Sequence, residues 1–203
     1  MKKRVYIVMG SQGYNNMFAA NGYDIAMTPD EADLICFTGG EDVSPMLYEM
    51  PKHPSTHCNP VRDQSESDLY HNYYNTPMVG ICRGSQFLNV MCGGSLWQNV
   101  NNHATGRTHD ALDILTGEVF EVTSTHHQMM IPGDEGKLLL TADLSTVRED
   151  GIVVDRGEGY EDVECVFYEF DKVLCFQPHP EYVGVDHPMQ RWFFNTLEET
   201  ILS

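Results

Sequence analysis

Short apolar runs, each closed by glycine or polar residues, divide the first half of the chain. Val5 to Met9, Leu34 to Thr38 and Met78 to Cys82 are rich in β-formers and continuously apolar, the pattern of strands buried on both faces. Helical stretches near Gln64 to Tyr74 and Ser85 to Cys92 lie between or after them. Strands alternating with helices predict a largely parallel sheet flanked by helices. Beyond Thr108 the rhythm changes. Val119 to Thr123, Lys137 to Thr141, Ile152 to Val154, Val163 to Tyr168 and Val173 to Phe176 read as shorter strands between Gly and Asp turns, predicting antiparallel additions in the C-terminal half. Asp186 is the expected cap of a closing helix with Pro188 in its first turn, and Trp192, Phe193, Leu197 and Ile201 form the stripe that docks it on the core. With no internal repeat, low-complexity tract or dividing linker, residues 1–203 are expected to form a single α/β domain.

Composition narrows the function classes. A chain of 203 residues with 41% hydrophobic content can bury one good core. Its formal net charge of −18, with only 12 lysines and arginines, argues against nucleic-acid or anionic-membrane surfaces, which need clustered basic residues. The acidity reads first as solubility and second as attraction for a basic partner subunit. Of the six cysteines, Cys36, Cys82, Cys92 and Cys175 fall in apolar or motif contexts without paired spacing, so they read as reduced, mostly buried thiols. The basic start Met1-Lys-Lys-Arg leads into an apolar stretch too short for a signal-peptide core, and no segment approaches the ~20 apolar residues of a membrane span. A cytoplasmic protein is expected.

Chemistry concentrates in two places. From Thr76 to Phe87 an apolar strand breaks at Cys82 into a glycine-flanked helix, exposing a thiol at a helix N-terminus. Unpaired N–H groups and the positive end of the macrodipole there favour the thiolate. Gly80 and Gly84 would let two backbones approach around the bend, and the Arg83 N–H would be free for an oxyanion. The competing reading is a core cysteine at a strand end. The second place is Gln177-Pro-His-Pro-Glu181, where His179 and Glu181, two apart in extended chain, point the same way, so that the carboxylate can orient the imidazole. Together they supply a nucleophile, a base and an orienter.

Other polar groups are more ambiguous. His53, His57 and Cys58 have ligand-like spacing, but Pro51, Pro54 and Pro60 break any helix that would align them, leaving a loop after Pro45 that is either passive or a lid. His103 and His109 lie in a polar stretch, Asn101 to Asp110, that either lines a pocket or is solvated. Of the adjacent His126 and His127, at most one should face the site if the chain is extended.

Gly-Ile-Cys82-Arg-Gly-x-Gln86 with Gln-Pro-His179-Pro-Glu181 resembles the class I glutamine amidotransferase superfamily, and within it the γ-glutamyl hydrolase branch that includes γ-glutamyl-γ-aminobutyrate hydrolases. Four further segments match in the same order: Gly39 to Pro45, Arg62 to Glu66, Gln86 to Gln98 and Ser124 to Gln128. The resemblance implies a flavodoxin-like fold, with Cys82 as nucleophile, His179 as general base and then acid, and Glu181 orienting His179. It further implies oxyanion-hole N–H groups from Gly40 and Arg83, each worth about 3 kcal/mol of barrier in such sites. Gly39, Gln86, Ser124, His126 and Gln128 fall at substrate-pocket positions, and the pattern selects His126 over His127 to face the site. The implied reaction is cleavage of a γ-glutamyl amide through a thioester, needing no metal or organic cofactor. Its partner is a small γ-glutamyl substrate or, for a glutaminase subunit, a separate synthetase. A non-catalytic module on the same fold is the remaining alternative. Three departures bear on substrate size: a short connection between Trp97 and Val122, Ser85 in place of a larger apolar residue, and Pro178 in place of an aromatic wall.

Overall fold

The computed structural model describes residues 2–149, 152–153 and 162–202. Five strands form a parallel half-sheet: β1 (Arg4–Val8), β2 (Asp24–Ile25), β3 (Leu34–Phe37), β4 (Met78–Ile81) and, far along the chain, Val173–Phe176. Between them run α1 (Gln12–Ala20), α2 (Pro60–Asn72) and α3 (Arg83–Met91). The second half contributes β5 (Ser95–Trp97), β6 (Arg107–Asp113), β7 (Val119–Ser124), β8 (Met129–Ile131), β9 (Gly136–Ala142), β10 (Val147–Arg148), β11 (Ile152–Val153) and β12 (Asp162–Tyr168), with Val173–Phe176 as β13 and α4 (Pro188–Thr200) closing the chain. The main sheet has nine strands in the order β2-β1-β3-β4-β13-β12-β9-β6-β7. Pairing is parallel from β2 to β13 and antiparallel from β13 to β7, so the expected antiparallel additions form one contiguous block.

Two apolar cores sandwich the sheet. On one face Tyr14, Met17 and Phe18 of α1 and Met189, Phe193, Phe194 and Leu197 of α4 pack on Val5, Leu34, Val79, Leu174 and Phe176. On the other, Phe87, Leu88 and Val90 of α3 and Tyr70 of α2 cover Ile35, Phe37, Met78 and Cys175. Strand residues alternate between the two cores, which is why the parallel strands read as continuous apolar runs.

Several details differ from the sequence expectations. The α4 cap is His187, whose side chain accepts from the Met189 N–H, rather than Asp186; Pro188 does take the first helical position. Helix α2 begins at Pro60 behind an Asn59 cap, earlier than its apolar residues suggest, because the face it buries carries Arg62, Asp63, Glu66 and Ser67. The stretch between Trp97 and Val122 holds the long strand β6, whose inward positions include His109 and Asp113. Val154, expected at the end of a strand, lies outside the described residues.

Candidate active site

The carboxyl ends of the three adjacent parallel strands β3, β4 and β13 converge, the position where open α/β sheets bind ligands. Strand β4 turns directly into α3 at Cys82, which is held at φ 52° and ψ −112°, a backbone conformation that L-residues adopt only under constraint. The glycines permit the bend: a Cβ on Gly80 would lie 2.4 Å from the Gly84 carbonyl, and one on Gly84 2.2 Å from the Phe37 oxygen. The Cys82 N–H donates to the Phe176 carbonyl (3.0 Å), while the Cys82 carbonyl accepts from the Ser85 hydroxyl at 2.6 Å and from the N–H groups of Ser85 and Gln86. Ser85 thus ties down the turn with a hydroxyl that a larger apolar residue would lack. Although the turn was expected to expose Cys82, the residue is only 8% accessible and sits in a crevice.

His179 follows β13, and its Nδ1 lies 2.6 Å from Glu181 Oε1. The pair is not in extended chain: Pro180 fixes the first residue of a single 3₁₀ turn, Pro180–Tyr182, and the turn itself brings carboxylate and imidazole together. Thr123 accepts the His179 N–H at 2.7 Å, and Tyr182 stacks on the ring with centroids 4.5 Å apart. From α4, Gln190 donates to the carbonyls of Pro180 and Val183 and fixes the turn. Burial alone would depress the imidazole, but the adjacent Cys82 sulfur and Glu181 carboxylate outweigh it and push His179 up to about 10. Gly39 fills the space between these groups, since a Cβ there would lie 2.9 Å from His179 Cε1 and 3.7 Å from Cys82 Cβ.

The segment Thr38 to Glu41 completes the crevice and is clamped by α2. Arg62, 6% accessible, donates to the carbonyls of Thr38 (2.9 Å) and Gly39 (3.2 Å) and to Glu41 and Glu66. Gly40 has φ 153°, and its missing Cβ leaves the space that the Arg62 guanidinium occupies. Asp63 and Glu66, on the same helix face, receive the buried guanidinium of Arg83. Burial and the neighbouring Arg62 lower Arg83 to about 10, still charged at neutral pH. Tyr14 of α1 accepts the Gly39 N–H at 3.0 Å, and burial and Glu181 hold its hydroxyl neutral, well above the ordinary tyrosine range. Sequence reasoning gave no role to Tyr14, Arg62, Asp63 or Glu66. The Arg-Asp-x-x-Glu match was the available signal, since charges at that spacing share one helix face.

Of the residues expected to bind substrate, Gly39 is half-buried in the crevice itself, whereas Gln86, Ser124, His126 and Gln128 lie behind it and are buried. Gln86 Nε2 donates to the Gln128 carbonyl and to Gln177 Oε1, both at 3.1 Å. The Ser124 hydroxyl donates to the His103 carbonyl, and Gln128 Nε2 faces Thr56 Oγ1. His126 is 4% accessible and packs against His103, whereas His127 is half-buried and bonds Asp42 at 3.0 Å, which raises its pKa. His103 and His109 are both buried, so the solvated reading of their segment does not hold. His53 and His57 make local bonds to Ser55.

A parallel sheet that delivers a strained cysteine elbow between a glycine loop and a histidine turn is the class I glutamine amidotransferase architecture. The crystal structure of a glutamine amidotransferase from Thermotoga maritima shares it with a TM-score of 0.63 over 98% of this chain and 84% of that one, at 17% identity. The chain belongs to the peptidase C26 family, whose model matches residues 2–181. Protein NtpR of Enterococcus hirae is 40% identical over 189 residues, spanning 82% of this chain and 74% of that protein. The glutamine amidotransferase-like protein YvdE of Lactococcus lactis subsp. lactis is 33% identical over 171 residues, 73% of this chain and 66% of that one.

Proposed function

We propose that this chain is a cysteine-dependent hydrolase that cleaves the γ-glutamyl amide bond of glutamine or a small γ-glutamyl amine and releases glutamate. The observation that carries this reading is the His179 imidazole, anchored to Glu181 at 2.6 Å and raised by the sulfur of an elbow cysteine. Cys82 thiolate attacks the γ-carbonyl, and the resulting oxyanion accepts hydrogen bonds from the backbone N–H groups of Gly40 and Arg83. Imidazolium His179 gives its proton to the departing amine as the C–N bond breaks, leaving a γ-glutamyl thioester. Neutral His179 then takes a proton from water, whose oxygen attacks the thioester; glutamate leaves and the thiolate–imidazolium pair is restored. Gln86, Ser124, His126 and Gln128 support the glutamyl end of the pocket from behind through their buried bonds. The test is glutamate release, read by mass spectrometry, from a panel of glutamine and γ-glutamyl amines with wild type and Cys82→Ala side by side. Cys82-dependent turnover is the expected result; turnover that survives in Cys82→Ala would sink the assignment.

A second reading, a glutaminase subunit feeding ammonia to a separate synthetase, draws on exposed apolar residues in the loop after Gly40. Met46 is 81% and Met50 43% accessible. Under that reading glutamine is the only panel member turned over, slowly, and a synthetase partner accelerates it.

A further inference from the structure

Behind the crevice, three histidines converge on one carboxylate that the proposed reaction does not use. Around Glu164 Oε1 of β12 stand His109 Nε2 at 2.9 Å, His103 Nδ1 at 3.5 Å and His126 Nε2 at 3.8 Å. The four side chains come from separate places: β6, the loop before it, the segment after β7, and β12. Glu164 and His103 are fully buried, and His126 and His109 nearly so.

Proton placement makes a purely hydrogen-bonded network costly. His126 Nδ1 lies 2.9 Å from the Gln128 carbonyl, which can only accept, so Nδ1 carries the hydrogen and the neutral ring aims its Nε2 lone pair at Glu164. His103 Nε2 lies 3.0 Å from Asp162 Oδ2. That carboxylate also accepts from the N–H groups of Leu144 and Ser145 and from Arg148, so His103 donates there and its Nδ1 lone pair likewise faces Glu164. Neither His103 Nδ1 nor His126 Nε2 has a hydrogen-bond partner among the described residues. Two lone pairs aimed at an anionic oxygen in a dry interior require a cation between them, either an added proton or a metal ion.

The spacing favours a metal. Four ligands at ~2.0–2.1 Å from a tetrahedral zinc stand about 3.3 Å from one another, and the three separations from Glu164 bracket that value. The ligand atoms of His103, His109 and Glu164 lie within 4.8 Å of one another, and His126 Nε2 stands outside that group, 3.8 Å from Glu164 Oε1. Two of the three histidines have the outer contact that metal-binding histidines use, the far ring nitrogen of His103 being bonded to a carboxylate and that of His126 to a backbone carbonyl, while His109 Nδ1 has no hydrogen-bond partner among the described residues.

We propose that His103, His109 and Glu164, with His126 closing on the ion as fourth ligand, form a structural site for a divalent first-row transition metal, zinc by ligand type. Four protein ligands with no open position make the site structural rather than catalytic. It joins β6 and β12 to the 125–128 segment, whose Gln128 carbonyl holds Gln86 beside the elbow. The inference does not depend on the reaction proposed above.

The test titrates the chelator-treated full chain with Co²⁺ alone. One equivalent should bind with visible d–d bands of tetrahedral geometry and be displaced by Zn²⁺. Zinc-edge X-ray absorption of the wild-type protein should show only nitrogen and oxygen ligands. Glu164→Gln and His109→Phe should abolish the bands, and Asp162→Asn, acting through His103, should weaken binding about 10–100-fold. Absence of stoichiometric uptake in the wild type would leave a protonated histidine network and overturn the proposal. So would sulfur in the zinc shell, or bands that persist in both ligand variants. Because the absorption measurement uses wild type, a variant that fails to fold does not decide the matter.

Discussion

At residue scale the site depends on a few groups held against their preferences. Cys82 occupies a positive-φ turn, and His179 stays protonated well above the usual histidine range because the sulfur and Glu181 lie beside it. Cys82→Ala should abolish turnover while leaving the melting transition in place, since the turn is set by Gly80, Gly84 and backbone bonds rather than by the thiol. Glu181→Gln should cost less than loss of the nucleophile, because an orienter contributes less in a triad acting as a unit. It should also show a pH signature. Glu181 raises His179, so removing its charge should move the alkaline limb of the rate profile from near 10 toward neutrality; an unmoved limb would refute the coupling. The same shift has a stability sign. A folded pKa above the unfolded ~6.5 stabilises the native state fully below that value, and this contribution fades as pH climbs to about 10. What the sequence disclosed at this scale was the chemistry-bearing types: Cys82, His179 and Glu181 converge as their motifs suggested. Tyr14 gave no such signal, because its role arises only when α1 packs its hydroxyl against Gly39.

At the scale of elements, legibility followed the nature of the buried face. The parallel strands β1, β3, β4 and β13 could be read from their apolar runs, whereas the two-residue edge strand β2, with exposed Asp24, could not. Helix α2 and strand β6 could not be bounded, because they bury charged and imidazole side chains that periodicity counts as outward-facing. Those buried polar faces carry testable energetics. Arg83→Met leaves the buried Asp63 without its cation and Glu66 with Arg62 alone, which should destabilise the fold by about 3–5 kcal/mol in denaturant melts, although the backbone N–H of residue 83 remains. Gly84→Ala introduces a Cβ against the Phe37 carbonyl, a backbone atom that cannot swing aside. It should cost at least about 1–3 kcal/mol and spoil the elbow, lowering both the melting temperature and the rate.

For the whole molecule, charge and layering dominate. A formal charge of −18 repels itself across a compact body. Raising salt from about 10 mM to about 150 mM shortens the screening length several-fold and should raise the melting temperature; calorimetry at the two concentrations checks it. No helix among the described residues is long and apolar enough to cross a membrane. The α/β layering was foreseeable from strand–helix alternation. The antiparallel block was foreseeable only as a change of rhythm, since its order depends on pairings between distant segments that no local pattern encodes. Arg62 holds the Thr38 and Gly39 carbonyls while Asp63 and Glu66, on the same helix, hold Arg83, so both jaws of the crevice are leashed to α2. The opposite side of that helix faces outward, with Val61 78% accessible. A substitution that displaced α2 would therefore shift the glycine loop and the elbow together, the helix serving as a common hinge pin for the two.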